Sequence, residues 1–123
     1  QPKQEESNQS QISEDGLIGI EAFMNVTLKV ATVVEADEVP KSSKLLKLQV
    51  DCGEAQNRQI LAGIKEYYSA SELVGTQVCI VANLKPAKLM GMVSQGMILA
   101  AKDENGLSLI RPEKSTKSGT QIK

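Results

Sequence analysis

Asn83-Leu84-Lys85-Pro86-Ala87-Lys88-Leu89-Met90-Gly91-Met92-Val93-Ser94-Gln95-Gly96-Met97 lies between two short apolar runs and reads as strand, polar hinge, strand. The run before it, residues 77–82, is rich in the β-branched and apolar side chains that pack well on a pleated surface. Pro86 removes a backbone donor and biases Lys85 away from helix, so the chain must turn here or leave a sheet. Gly91 and Gly96 lack a Cβ and allow a bulge or the close approach of a second backbone. Lys85 and Lys88 supply positive charge, while Asn83, Ser94 and Gln95 offer donors to phosphate or sugar that do not discriminate bases. This is the chemistry of a polyanion clamp; the alternative is a solvated hairpin whose lysines serve solubility.

Outward from the hinge the pattern is that of short strands. Val26, Leu28, Val30 and Val34 alternate with Thr27, Lys29, Ala31 and Glu35, which predicts a first core strand with the larger apolar residues inward. Pro40 to Ser43 breaks it, and Leu46, Leu48 and Val50 alternate with Lys47 and Gln49 in a second strand. A polar turn around Gly53 leads to a third strand over residues 58–62. Ser69-Ala70-Ser71-Glu72 has the spacing of a capping box and opens a single helical turn that Gly75 stops. Residues 77–83 and 96–101 supply strands four and five, and Asn105-Gly106 predicts a final hairpin over residues 102–110. One short helix between strands three and four of an all-β chain is the organisation of an OB-fold, a five-stranded barrel used for oligonucleotides, here with N- and C-terminal extensions. Residues 1–16, rich in Gln, Ser and Glu, are expected to be a flexible linker, leaving residues 17–123 as the domain.

At 123 residues there is one core and no room for a second. The chain begins with Gln, and the reading is of a piece cut from something longer. No apolar run approaches the roughly 20 residues needed to cross a bilayer, so a cytoplasmic protein without membrane contact is expected. Cys52 and Cys79 read as free structural thiols. With no histidine in the chain there is no imidazole base and no common zinc set, so neither catalysis nor a metal or other cofactor is expected. The formal charge is −1, yet residues 1–23 hold one Lys against five acids, leaving 13 basic and 10 acidic side chains in residues 24–123. Binding of a polyanion must then use a local patch on a nearly neutral body.

The run Asn83-Leu84-Lys85-Pro86 followed by Lys88, Gly91 and Ser94-Gln95-Gly96-Met97 resembles the signature of the tRNA-binding domain found at the C-terminus of many bacterial methionyl-tRNA synthetases. The same module occurs as free-standing tRNA-binding proteins, in a secretion-related chaperone family, and in a eukaryotic cytokine-like synthetase cofactor. Ile18-Gly19-Ile20-Glu21-Ala22-Phe23, Leu28-Lys29-Val30, Lys44-Leu45-Leu46-Lys47-Leu48, Ala62-Gly63-Ile64 with Tyr67-Tyr68, and Glu72-Leu73-Val74-Gly75 fall in the family's order, covering about residues 18–123. Ala31, Ala87 and Met90 depart from it, the first where glycine is frequent and the others where basic residues often stand. The resemblance implies that the extensions form a homodimer interface, and the apolar residues outside the five strands that fit this role are Ile18, Ile20, Phe23, Leu107, Leu109 and Ile110.

With three aromatic residues, Phe23, Tyr67 and Tyr68, the chain lacks the row of rings that single-strand-binding barrels use to stack bases. It is expected to read folded RNA through phosphates and 2′-hydroxyls. Lys29, Lys44, Asn83, Lys85, Lys88, Ser94 and Gln95 are the predicted tRNA contacts, with Lys47 as a further cation; Tyr67-Tyr68 reads as packing rather than as a platform. The expected function is that of a dimerising, non-catalytic domain attached to a synthetase body, adding contacts to the tRNA body. The alternatives are a free-standing tRNA-binding protein, or a chaperone or protein-interaction module using Met90, Met92 and Met97 for adaptable apolar contacts.

Overall fold

The computed structural model describes residues 16–123, so most of the expected linker over residues 1–16 lies outside the described residues. The barrel is organised on one long strand, β1 (Leu28–Glu38). Its first half runs antiparallel to β4 (Gln77–Val81), from Leu28 opposite Val81 to Thr32 opposite Gln77. Its second half pairs with β2 (Leu46–Asp51), which pairs in turn with β3 (Arg58–Ala62). β4 carries β7 (Met97–Ile98) on its other edge, giving the order β3-β2-β1-β4-β7. β3 and β7 then approach across the remaining gap, so five antiparallel strands make a nearly closed OB-like barrel.

Alternation fixes what faces inward. Leu46, Leu48 and Val50 of β2, Ile60 of β3, and Val78 and Ile80 of β4 are all fully buried in one cluster. α2 (Ala70–Leu73) adds Leu73 to that cluster, and burial of such a side chain contributes about 1.5–3 kcal/mol. Ser69 donates both its backbone N–H (2.8 Å) and its hydroxyl (3.0 Å) to the Glu72 carboxylate, the reach-back half of the capping box that the sequence announced.

The predicted inward face of the first strand is wrong in phase. Val26 precedes the strand and Val34 is exposed, whereas Ala31 and Val33 enter the core and Ala36 packs against it. Ala31 and Val33 face inward ahead of the bulge between Val33 and Glu35, and the bulge slips the register by one residue, so that Ala36 rather than Glu35 continues the inward face beyond it. Val30 on the opposite face is buried as well, so the strand reads as apolar on both sides.

β2 leaves the edge of β1 at Asp51, and the C-terminal segment takes that edge over. Gly119 N–H donates to Val30 O (2.7 Å), Val30 N–H donates to Thr120 O (2.9 Å), and β10 (Gln121–Ile122) pairs with Leu28 and Lys29. The Gln77 side-chain amide holds the same segment from β4, accepting from Thr116 N–H (3.0 Å) and donating to Thr116 O. Cys52 and Cys79 are buried free thiols, and burial pushes both above the usual thiol range.

The two extensions differ in kind. α1 (Ile20–Met24) buries none of its residues; Ile18 and Ile20 are exposed and Phe23 is half-buried. β8 (Ala100–Asp103) and β9 (Gly106–Leu109) form the predicted final hairpin, but its central residues are Glu104 and Asn105, with Gly106 (φ 132°) after the turn. This hairpin is not spare surface. Leu109 is buried in the barrel's own core with Leu107 packed against it, and Leu109 N–H donates to the Tyr68 hydroxyl (3.1 Å). Leu109 is therefore corrected from a dimer contact to a core residue, because the barrel end needs an apolar plug. Ile110 remains exposed. Among the described residues no helix is long and apolar enough to cross a membrane.

Candidate nucleic-acid interface

The hinge is itself a hairpin. Residues 82–86 run as a loop into β5 (Ala87–Leu89), which pairs with β6 (Met92–Ser94). Met90 (φ 52°) and Gly91 (φ 80°) make the two-residue turn, both in the left-handed region that matches the twist of a hairpin. Ala87 stands opposite Ser94 and Leu89 opposite Met92, so Lys88 and Val93 share the other face; both are exposed. At the tip, Met90 and Met92 line a hollow with Val39, Pro40 and Lys41 of the loop between β1 and β2.

β6 closes the barrel against β3 with side chains in place of a regular ladder. Ser94 Oγ accepts from Leu61 N–H (3.0 Å) and donates to Gly96 O (3.2 Å). Gln95 Oε1 accepts from Gln59 N–H (3.0 Å), Gln95 N–H donates to Gln59 O (2.7 Å), and Gln59 Nε2 donates to Val93 O (2.9 Å). Gln59 and Leu61 are two residues apart on the edge of β3 that β2 does not cover, and these side chains satisfy donors that closure would otherwise bury unpaired. Asn83 is a staple of the same kind. Its Oδ1 accepts from Thr27 N–H (2.9 Å) and its Nδ2 donates to Asn25 O (2.7 Å), tying the hinge to the chain entering β1.

The predicted contacts thus divide. Ser94 is buried and Asn83 has both ends of its amide engaged, while Gln95 is exposed with its carbonyl oxygen committed to Gln59. Lys85 and Lys88 are exposed and make no ion pair among the described residues. Lys29, in the first half of β1, is half-exposed, and its charge is felt at Glu54. Lys44 is exposed in the loop between β1 and β2, and Lys47 is half-buried in β2 opposite Leu61. Lys29 therefore belongs with the groove described next, and Lys44 with the loop beside the hairpin tip.

A groove of about 500 Å3 separates the turn between β2 and β3 from the hinge, walled by Glu54, Asn57, Arg58, Leu84, Pro86 and Gln95. Arg58 lines it, a residue that no sequence motif singles out. Its Nη1 donates to Ala82 O and Gln95 O (2.5 and 3.1 Å), while Nε and Nη2 donate to the two Glu54 carboxylate oxygens (2.8 and 2.7 Å). The Arg58 hydrogen bonds, chiefly, hold the Glu54 carboxyl down at about 2, and Glu54 holds Arg58 charged. The available signal was an acid and a base four residues apart across a polar turn, too common a pattern to single out.

The arrangement offers exposed cations beside a polar groove and no stacking surface. Tyr68 is committed to the core and to Leu109, and Tyr67 sits under Lys102 (5.7 Å) on the β8–β9 hairpin. Such a surface suits phosphate and sugar rather than splayed bases.

Residues 28–121 match the family described as "Putative tRNA binding domain". The chain is 55% identical over 106 residues to the methionine–tRNA ligase of Methanococcus aeolicus, a match covering 86% of this chain and 16% of that protein. A similar match, 50% identical over 111 residues, is found in the methionine–tRNA ligase of Helicobacter pylori. The chain thus spans about one sixth of the length of these relatives. Among solved structures, a MetRS-related protein from Pyrococcus horikoshii superposes with a TM-score of 0.80 at 34% identity, covering 86% of this chain and 97% of that one. The chaperone CsaA of Bacillus anthracis superposes with a TM-score of 0.78 at 28% identity, covering 87% and 99%. With both its barrel and its hinge inside the matched residues, the chain belongs to the tRNA-binding domain family.

Proposed function

We propose that this chain is the tRNA-binding module of a methionyl-tRNA synthetase, working in the cytoplasm as a homodimer and adding contacts to the tRNA body that do not depend on sequence. The observation that carries this reading is the 55% identity with a methionine–tRNA ligase over 106 residues, a stretch long enough to include the hinge, where Lys85 and Lys88 stand exposed and Leu84 and Pro86 wall the Arg58 groove. The module itself supplies no chemistry; its contribution is binding. A covalently attached second site acts at high effective concentration, so a few phosphate contacts from a nearly neutral body suffice to raise the affinity of the whole. The exposed Ile18, Ile20 and Ile110 support the dimer, since apolar surface of this kind is normally covered.

The experiment is a salt titration of tRNA binding by the purified chain. Affinity should fall with salt with a log–log slope of roughly 0.7–0.9 per phosphate neutralised, for a few phosphates in all. Binding that ignores salt, or that is equally strong for single-stranded DNA of matched length, would defeat the reading.

One observation favours a second reading, a protein-binding module like the chaperone of similar structure: Leu84, Leu89, Met90, Val93 and Met97 are all exposed around the hinge. Competition between tRNA and an unfolded polypeptide separates the two, because a shared hinge surface would make each displace the other.

A further inference from the structure

We infer that Arg58 is a phosphate-binding residue of the groove and that Glu54 is its built-in competitor, an internal carboxylate occupying the fork an RNA phosphate would take. The inference rests on the tRNA-binding reading and deepens it by assigning a site and a brake upon it.

The guanidinium is used in two halves. Nη1 is fixed by two backbone carbonyls, Ala82 O and Gln95 O, which belong to the hinge and are held there whatever Glu54 does. Nε and Nη2 form the planar fork that fits a carboxylate or a phosphate with two parallel hydrogen bonds, and Glu54 fills it. The groove opens beside both residues, and their side chains keep 20% and 36% of their surface exposed, so a phosphate can reach the fork and the displaced carboxylate can return to water. Lys29 adds positive charge nearby. Displacement exchanges one anion for another on the same donors, with the backbone carbonyls preserving the aim of the guanidinium.

The structure therefore separates two properties that usually go together. Glu54 is not needed to orient Arg58, so removing its charge should expose a fork already in place. It also sits in a groove that an RNA backbone must enter, where a carboxylate repels phosphate. Holding the fork closed to weak anions keeps this face of the module from binding polyanions indiscriminately.

The test is a double-mutant cycle on tRNA binding, with salt dependence measured for each protein. Glu54→Gln should tighten tRNA binding about fivefold and raise the log–log salt slope by about one phosphate's worth, 0.7–0.9. Arg58→Lys, which keeps the charge and loses the fork, should bind several-fold more weakly, and the gain from Glu54→Gln should vanish in the double variant. Glu66→Gln, which removes an exposed carboxylate outside the groove lining, controls for net charge. A gain from Glu54→Gln no larger than that from Glu66→Gln, or one that persists without Arg58, overturns the inference. Melting curves of each variant identify loss of fold, and wild-type binding tests the tRNA-binding reading by itself, so the two can fail separately.

Discussion

Gly53 and Gly119 meet where β2 gives up the edge of β1 and the C-terminal segment takes it over: a Cβ on Gly119 would lie 2.9 Å from the Gly53 Cα and 2.6 Å from Cys52 O. Both glycines have left-handed φ values, 83° and 90°. Gly119→Ala should therefore cost at least about 2 kcal/mol, from backbone strain and the clash together. Gly91, with φ 80° but open space around it, provides the comparison, and alanine there should cost about 1 kcal/mol. Denaturant unfolding of the two variants measures the difference; equal losses would mean the handover tolerates a methyl group.

Lys85→Ala and Lys88→Ala should each weaken tRNA binding by about 1 kcal/mol and flatten the salt slope, with the melting temperature unchanged. Neither side chain has an ion pair to lose among the described residues. Wild-type affinity in both variants would move the site away from the hinge, to Lys29 or to Lys44 and Lys47.

Ser94→Ala and Asn83→Ala should behave oppositely, losing stability first. Without the Ser94 hydroxyl the buried N–H of Leu61 has no acceptor, which costs about 1–3 kcal/mol. Binding should follow stability in both variants and recover on cooling. An Asn83→Ala protein with normal melting and impaired binding would restore that amide to the RNA surface.

Acid titration should expose the Glu54–Arg58 pair. Glu54 is lowered from 4.5 to about 2 in the fold, so the stability it contributes is complete above pH 4.5 and is lost as the pH falls toward 2. Because the pair is partly exposed, the contribution is at most about 1 kcal/mol. Unfolding measured between pH 5 and pH 2 should show a shallower decline for Glu54→Gln than for the wild type; identical profiles would show that the pair adds nothing to the fold.

The proposed homodimer is best tested at α1. Ile20→Lys should yield a folded monomer by sedimentation, since Ile20 is 68% exposed and no residue of its helix is fully buried in its own chain. Removing residues 103–123 is no test, because Leu109 and β10 belong to the barrel, and unfolding is the expected outcome. A dimeric Ile20→Lys protein would place the interface elsewhere.

Where local chemistry decides an element, the sequence was sufficient. Arg58–Ala62 emerged with its predicted limits, and Ser69 and Glu72 announced the helix. What escaped was decided by partners distant in the chain. The inward face of β1 escaped because Val30 on one side and Ala31 and Val33 on the other are all buried, so alternation does not choose between them, and the bulge beyond Val33 then shifts the pattern in a way one strand's sequence does not carry. Leu109 looked like spare apolar surface until the barrel end claimed it. Ser94 and Asn83 stand out in the sequence beside a turn, where serine and asparagine serve backbone as readily as ligand, and here both bond backbone. Arg58 carries no sequence signal because its partners, Ala82, Gln95 and Glu54, come from three separate segments.

The pairing of Leu28 with Ile122 governs the order in which the molecule can assemble. The β2–β3 hairpin can form early, since its strands are joined by a short turn, but one half of β1 must wait for residues about 50 positions away and then for residues more than 90 positions away. Loop-closure entropy precedes any reward from such contacts, so folding should take milliseconds to seconds rather than microseconds. Until the C-terminal strand arrives, the edge of β1 at Leu28 and Val30 is an open template, and that interval is when a nascent or heat-shocked chain is most exposed to pairing with the wrong strand.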